Sequence, residues 1–79
     1  MGISSKFKFS SVKAIKALYQ ITTKYTEDID VVKGHLVVDA KSILGLLSLD
    51  LSEGVDITIH TDDYDTAQKL FNEIEKITD

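Results

Sequence analysis

Few side chains in this chain could do chemistry. Cysteine is absent, which removes thiolate nucleophiles, thiolate metal sites and disulfides together. His35 and His60 are the only imidazoles. His35 falls at a hairpin turn and His60 at the end of a strand. Both read as solvent-facing, and they are too isolated for a metal site, which wants several converging ligands. Ser10 and Ser11 form no recognisable nucleophile arrangement with either of them. Asp62, Asp63 and Asp65 depart from the spacing of a Ca²⁺ loop and lack a bidentate Glu at the right offset, so helix capping accounts for them better. Tyr19, Tyr25 and Tyr64 are expected at core edges. Neither metal nor cofactor is expected.

The remaining hydroxyls of interest head the expected helices. Ser10 and Ser11 are good N-cap residues for a helix over Val12 to Thr23, whose apolar positions Val12, Ile15, Leu18 and Tyr19 recur at helical spacing. Ser42 is a plausible N-cap within Lys41 to Leu49, where Ile43, Leu44, Leu46, Leu47 and Leu49 crowd around Gly45. A helix of about two turns buries one face, so part of this apolar set should be exposed. Asp63 can cap a last helix with the stripe Ala67, Leu70, Phe71, Ile74 and Ile77.

Between the helices lie strands. Ile3 to Phe9 alternates, with Phe7 and Phe9 on one face and Lys6 and Lys8 on the other. Asp28 to Asp39 is a hairpin in which Gly34 supplies a positive φ. With Lys33 and Gly34 as turn residues, Val31 faces Leu36 and Ile29 faces Val38, one apolar surface of four side chains. Val55, Ile57 and Ile59 alternate with Asp56, Thr58 and His60. The order βαββαβα, with one apolar face per sheet and one stripe per helix, predicts an α+β fold. It is an open-faced two-layer sandwich, a four-stranded antiparallel sheet with three helices on one face.

Bulk properties bound the function. Seventy-nine residues suit a single domain over 1–79. Hydrophobic residues make up 43% and charged residues 28%, the balance of a globular protein. The net charge is −4, with no arginine and scattered lysines, so the clustered cations that nucleic-acid binding needs are missing. No apolar run approaches the length of a membrane span, and no secretory signal precedes the first strand. A cytoplasmic protein is expected.

Over Lys24 to Ile59 the sequence resembles the HPr family, the histidine-containing phosphocarriers of the bacterial sugar phosphotransferase system. Lys41-Ser42-Ile43-Leu44-Gly45-Leu46-Leu47-Ser48-Leu49 looks like the family's KSIMGVMSLG segment. Glu53-Gly54-Val55 and Ile57-Thr58-Ile59 look like its KGAxITI strand. The resemblance implies the HPr-like sandwich and places the family's chemistry at the start of the first helix, in a motif of the form GIHARPA. Counting back from Lys24 without gaps, Ser11 stands where the family has its phosphorylated histidine, Lys13 where it has arginine and Ala14 where it has proline. Every part of the motif is altered. A serine ester of phosphate transfers its group far less readily than a phosphohistidine, so no catalytic residue is assigned.

Ser42 matches the serine that a dedicated kinase phosphorylates in many HPr proteins of low-GC Gram-positive bacteria. One related family member lacks the histidine and keeps this serine for regulation alone. Phosphate on Ser42 would meet a helix N-terminus, with Lys41 adding positive charge. In the family, exposed aliphatic side chains on this helix dock protein partners; Ile43, Leu44 and Leu47 match them, while Leu46 and Leu49 should be buried. The resemblance thus implies a non-enzymatic regulatory or interaction protein with partners from the phosphotransferase system or catabolite regulation. An atypical phosphoryl carrier, and an HPr fold reused as a binding domain, are the alternatives.

Overall fold

The computed structural model describes residues 2–78. Its elements are β1 (Ile3–Phe7), α1 (Val12–Thr22), β2 (Ile29–Lys33), β3 (Leu36–Asp39), α2 (Ile43–Ser48), β4 (Val55–Ile59) and α3 (Tyr64–Glu75). The strands form one sheet in the order β1-β4-β2-β3, with every neighbouring pair antiparallel. This is the expected α+β open-faced sandwich, and its cause is visible in the pleat. Ile29 and Val31 of β2, Val55, Ile57 and Ile59 of β4, and Phe7 of β1 turn one way and are buried. Ser4 and Lys6, Asp56 and Thr58, and Asp30 point the other way. There Ser4 and Thr58 share a hydroxyl hydrogen bond of 2.7 Å. Lys6 and Asp56 approach to 3.8 Å.

Each helix lays its stripe on the apolar side of the sheet. Ala14, Ile15 and Leu18 come from α1, Leu46 from α2, and Ala67, Leu70 and Ile74 from α3; all are buried in one core. Phe71 and Ile77 pack at its margin. The α3 stripe therefore holds from Ala67 to Ile74, whereas Ile77 packs from two residues beyond the end of the helix. In α1 the expected stripe fails at one position: Val12 is 57% exposed. Val12 instead shares the open flank of the helix with Lys13, Lys16 and Gln20, and Ala14 takes the inward place.

The first strand and the hairpin differ from expectation. β1 ends at Phe7, not Phe9, yet Phe9 remains buried. Its N–H donates to the Leu51 carbonyl at 3.0 Å outside the ladder, so burial continues past the last paired residue. The hairpin pairs Lys33 with Leu36, Val32 with Val37 and Val31 with Val38. Its turn residues are thus Gly34 and His35, not Lys33 and Gly34. Gly34 has φ 62°, while no other residue type has a positive φ among the described residues. That suits a two-residue turn needing the left-handed region only at its first position. Relative to expectation β3 is displaced by two residues. A shift of two preserves which face each side chain occupies, so Ile29, Val31, Leu36 and Val38 still share a side.

Candidate functional site

The two serines singled out by sequence both cap helices. Ser11 sits in extended conformation at φ −139° and ψ 153°, and its Oγ accepts from the Ala14 N–H at 3.1 Å. The β-region backbone before a helix leaves the hydroxyl facing an otherwise unpaired N–H. Lys13 is exposed on the first turn and Ala14 is buried beneath it. Ser11, Lys13 and Ala14, with Ala17 and Ile77, line a shallow open hollow beside the start of α1. No imidazole belongs to this hollow. His35 occupies the β2–β3 turn and His60 follows β4.

Ser42 repeats the arrangement on α2. At φ −113° and ψ 108° its Oγ accepts from the Gly45 N–H at 3.2 Å. Its side chain is half-buried. The helix it opens is short, six residues rather than the nine from Lys41 to Leu49 suggested by the sequence. Gly45 faces β3: a methyl group built there would lie 3.5 Å from Val38 Cβ and 3.4 Å from Ser42 Oγ.

Lys41 has partners of its own. Its Nζ donates to the Tyr25 carbonyl at 2.6 Å, and its N–H to Asp39 Oδ1 at 2.8 Å. The ammonium is therefore spent on the segment leading from α1 to β2 rather than held at the Ser42 hydroxyl. The aliphatic set divides as the helical period demands. Leu46 is buried and Leu49 packs against the core, whereas Leu44 is 79% and Leu47 44% exposed. Ile43, expected in the exposed group, is half-buried instead. α2 packs against both α1 and β3, so Leu44 and Leu47 project from a supported scaffold.

The structure also joins side chains far apart in sequence. The Tyr25 hydroxyl donates to Glu73 Oε1, and Lys24 Nζ donates to Glu73 Oε2 at 2.6 Å. The Lys24 bond, then the Tyr25 bond, hold the Glu73 carboxyl below its ordinary value. Burial first, and the Glu73 hydrogen bond second, push the Tyr25 phenol above its own. Thr22, wholly buried, donates its hydroxyl to the Ala40 carbonyl at 2.6 Å, tying the end of α1 to the chain just before α2. His60 Nε2 lies 2.7 Å from Asp30 Oδ2 on the open face of the sheet. Local periodicity carries no sign of these pairs, which tertiary pairing alone brings together. Asp63 does cap α3, as expected: its carboxylate accepts from the N–H groups of Asp65 and Thr66. The Thr66 hydroxyl bond is the first cause of its lowered pKa.

Residues 11–79 match the family described as the PTS HPr component phosphorylation site. Among solved structures, the chain is similar to HPr-C-His from Thermoanaerobacter tengcongensis, with 28% identity and a TM-score of 0.76 over 98% of this chain and 93% of that one. The phosphocarrier protein HPr from Bacillus anthracis str. Ames is 19% identical, with a TM-score of 0.74 over 99% and 98% of the two chains. The Bacillus subtilis catabolite repression containing protein Crh is 26% identical, with a TM-score of 0.67 over 89% and 84%. That protein is described as a domain-swapped dimer.

Proposed function

The chain belongs to the HPr family of the phosphotransferase system, and on that premise we propose that it is a regulatory interaction protein rather than a phosphocarrier. The observation that carries the reading is the opening of α1, where a serine serves as helix cap and no histidine precedes His35 in the sequence. Without an imidazole there, the high-energy phosphoramidate on which relay depends has no place to form. What is retained is α2, with the Ser42 hydroxyl at its head and Leu44 and Leu47 exposed along it. An exposed aliphatic patch on a supported helix is suited to protein docking. The similarity to Crh, whose printed description concerns catabolite repression, supports a regulatory role. In this reading the protein is one cytoplasmic domain with no enzymatic step of its own. Its partners are proteins of the phosphotransferase system or of catabolite regulation. Ser42 is its switch and Leu44, Leu47 and the half-buried Ile43 are its contact residues.

Phosphate at Ser42 would add about two negative charges beside that patch. Lys41 supplies a counter-charge only if it leaves the Tyr25 carbonyl, so modification and the α1–β2 segment are linked.

Two incubations followed by intact mass measurement test the proposal. One supplies phosphoenolpyruvate with enzyme I, the other ATP with the HPr serine kinase. The expected result is acid-stable phosphate from ATP alone, absent in Ser42→Asn, which keeps a capping acceptor while removing the hydroxyl. Acid-labile phosphate from phosphoenolpyruvate would overturn the regulatory reading in favour of an atypical carrier. No phosphate by either route would overturn the Ser42 assignment and leave an HPr fold reused for binding.

A further inference from the structure

The β3 edge of the sheet carries apolar surface that neither the fold nor the α2 function uses. β3 is bonded on one side only, to β2. Ala40 N–H donates to the Ile29 carbonyl at 2.9 Å, and antiparallel ladders alternate bonded with non-bonded pairs. Counting back from Ala40, Val38 and Leu36 turn their main-chain groups toward β2, whereas Asp39 and Val37 turn theirs outward. The Asp39 carbonyl is taken by the Ser42 N–H at 3.0 Å. The N–H and carbonyl of Val37 have no partner among the described residues. Around them Leu36 is 50% and Val37 60% exposed.

The other edge is built differently. β1 carries Lys6 within the strand, and Lys8 follows it; lysines on an edge discourage pairing with another chain. β3 has no lysine and no proline, and its ladder to β2 runs without a bulge. Its length of four residues and the charge of Asp39 at its end are what limit it.

We propose that β3 pairs with β3 of a second copy of this chain, antiparallel about a two-fold axis at Val37. The segment His35-Leu36-Val37-Val38-Asp39 is its own antiparallel complement. Val37 meets Val37 of the second copy, and the two exchange N–H to carbonyl bonds through the groups that point outward. Leu36 meets Val38, and His35 meets Asp39, at both ends of the seam. Displacing the register by one bonded pair in either direction sets Val37 against His35 or Asp39 and loses the pairing of imidazole with carboxylate. The contact is isologous and therefore closes at two copies. It joins two four-stranded sheets into one of eight strands.

Sedimentation velocity on the full chain, from about 10 μM to about 1 mM, tests the proposal. A concentration-dependent dimer is expected, weakened about tenfold or more by Val37→Lys and by His35→Asp. Leu44→Ser on α2 should leave it unchanged. Far-UV circular dichroism verifies that each variant is folded; both changed positions are exposed and neither main-chain bond of Val37 serves the internal ladder. A monomer throughout the range would overturn the proposal. So would a dimer of unchanged strength in both Val37→Lys and His35→Asp.

Discussion

Ser11 and Ser42 each accept one backbone N–H at the head of a helix. Helix caps of this kind are worth about 1 kcal/mol. Ser11→Ala and Ser42→Ala should therefore each lower unfolding stability by about that amount, measured by urea titration. The nearby Ser→Asn changes should cost much less. Thr22 is a sharper case, because its hydroxyl is buried against the Ala40 carbonyl. Thr22→Val keeps the shape and removes the donor, leaving a buried acceptor unpaired; a loss of about 1–3 kcal/mol is expected in the same assay. The contrast separates a solvated cap from a buried bond. The roles of Ser11 and Ser42 as caps were legible from the sequence, since a hydroxyl residue before an apolar stripe is a local signal. The role of Thr22 was not, because its acceptor lies 18 residues away.

α2 is where one short element must both fill the core and face outward. Leu46 is fully buried and Leu44 largely exposed, so Leu46→Ala should cost about 2–5 kcal/mol. Leu44→Ser should stay within about 0.5 kcal/mol of the parent. If Leu44 contacts a partner, its substitution should weaken binding in calorimetry while leaving the urea midpoint in place. Gly45→Ala is expected to stabilise by about 0.5–1 kcal/mol, since a methyl there meets Ser42 and Val38 at ordinary contact distance and alanine favours the helix. The element-level reading from sequence was right in kind and short of precision at the hairpin. Alternation identifies faces, but it is blind to a displacement of two residues. Nothing in Asp28 to Asp39 distinguished a Lys33–Gly34 turn from the observed Gly34–His35 turn. The partner of Lys41 was hidden for a related reason: sequence adjacency to Ser42 gave no sign that its ammonium would reach the Tyr25 carbonyl.

At the scale of the whole molecule, the four-stranded antiparallel sheet, its single apolar face and the three covering helices followed from patterning. The Lys24–Tyr25–Glu73 junction between the α1–β2 segment and α3 did not, because it spans 48 residues and depends on how the helices pack. It leaves a trace in acid. The folded-state pKa of Glu73 lies below its ordinary value of 4.5. Its contribution is thus fully present above that pH and is lost as the pH falls through the lower folded value. Urea midpoints measured from pH 7 to pH 3 should decline, and Glu73→Gln should flatten the part of the decline that belongs to this carboxyl. A second consequence comes from the sheet order itself. The first strand pairs only with the fourth, Ile3 opposite Ile59 and Phe7 opposite Val55. During synthesis at roughly 5–20 residues per second, β1 therefore emerges several seconds before its neighbour exists. In that interval the leading segment, Phe7 and Phe9 included, has no native ladder to join. Completion of the sheet, and with it the protection of the nascent chain from stray partners, waits on the synthesis of β4, some fifty residues later.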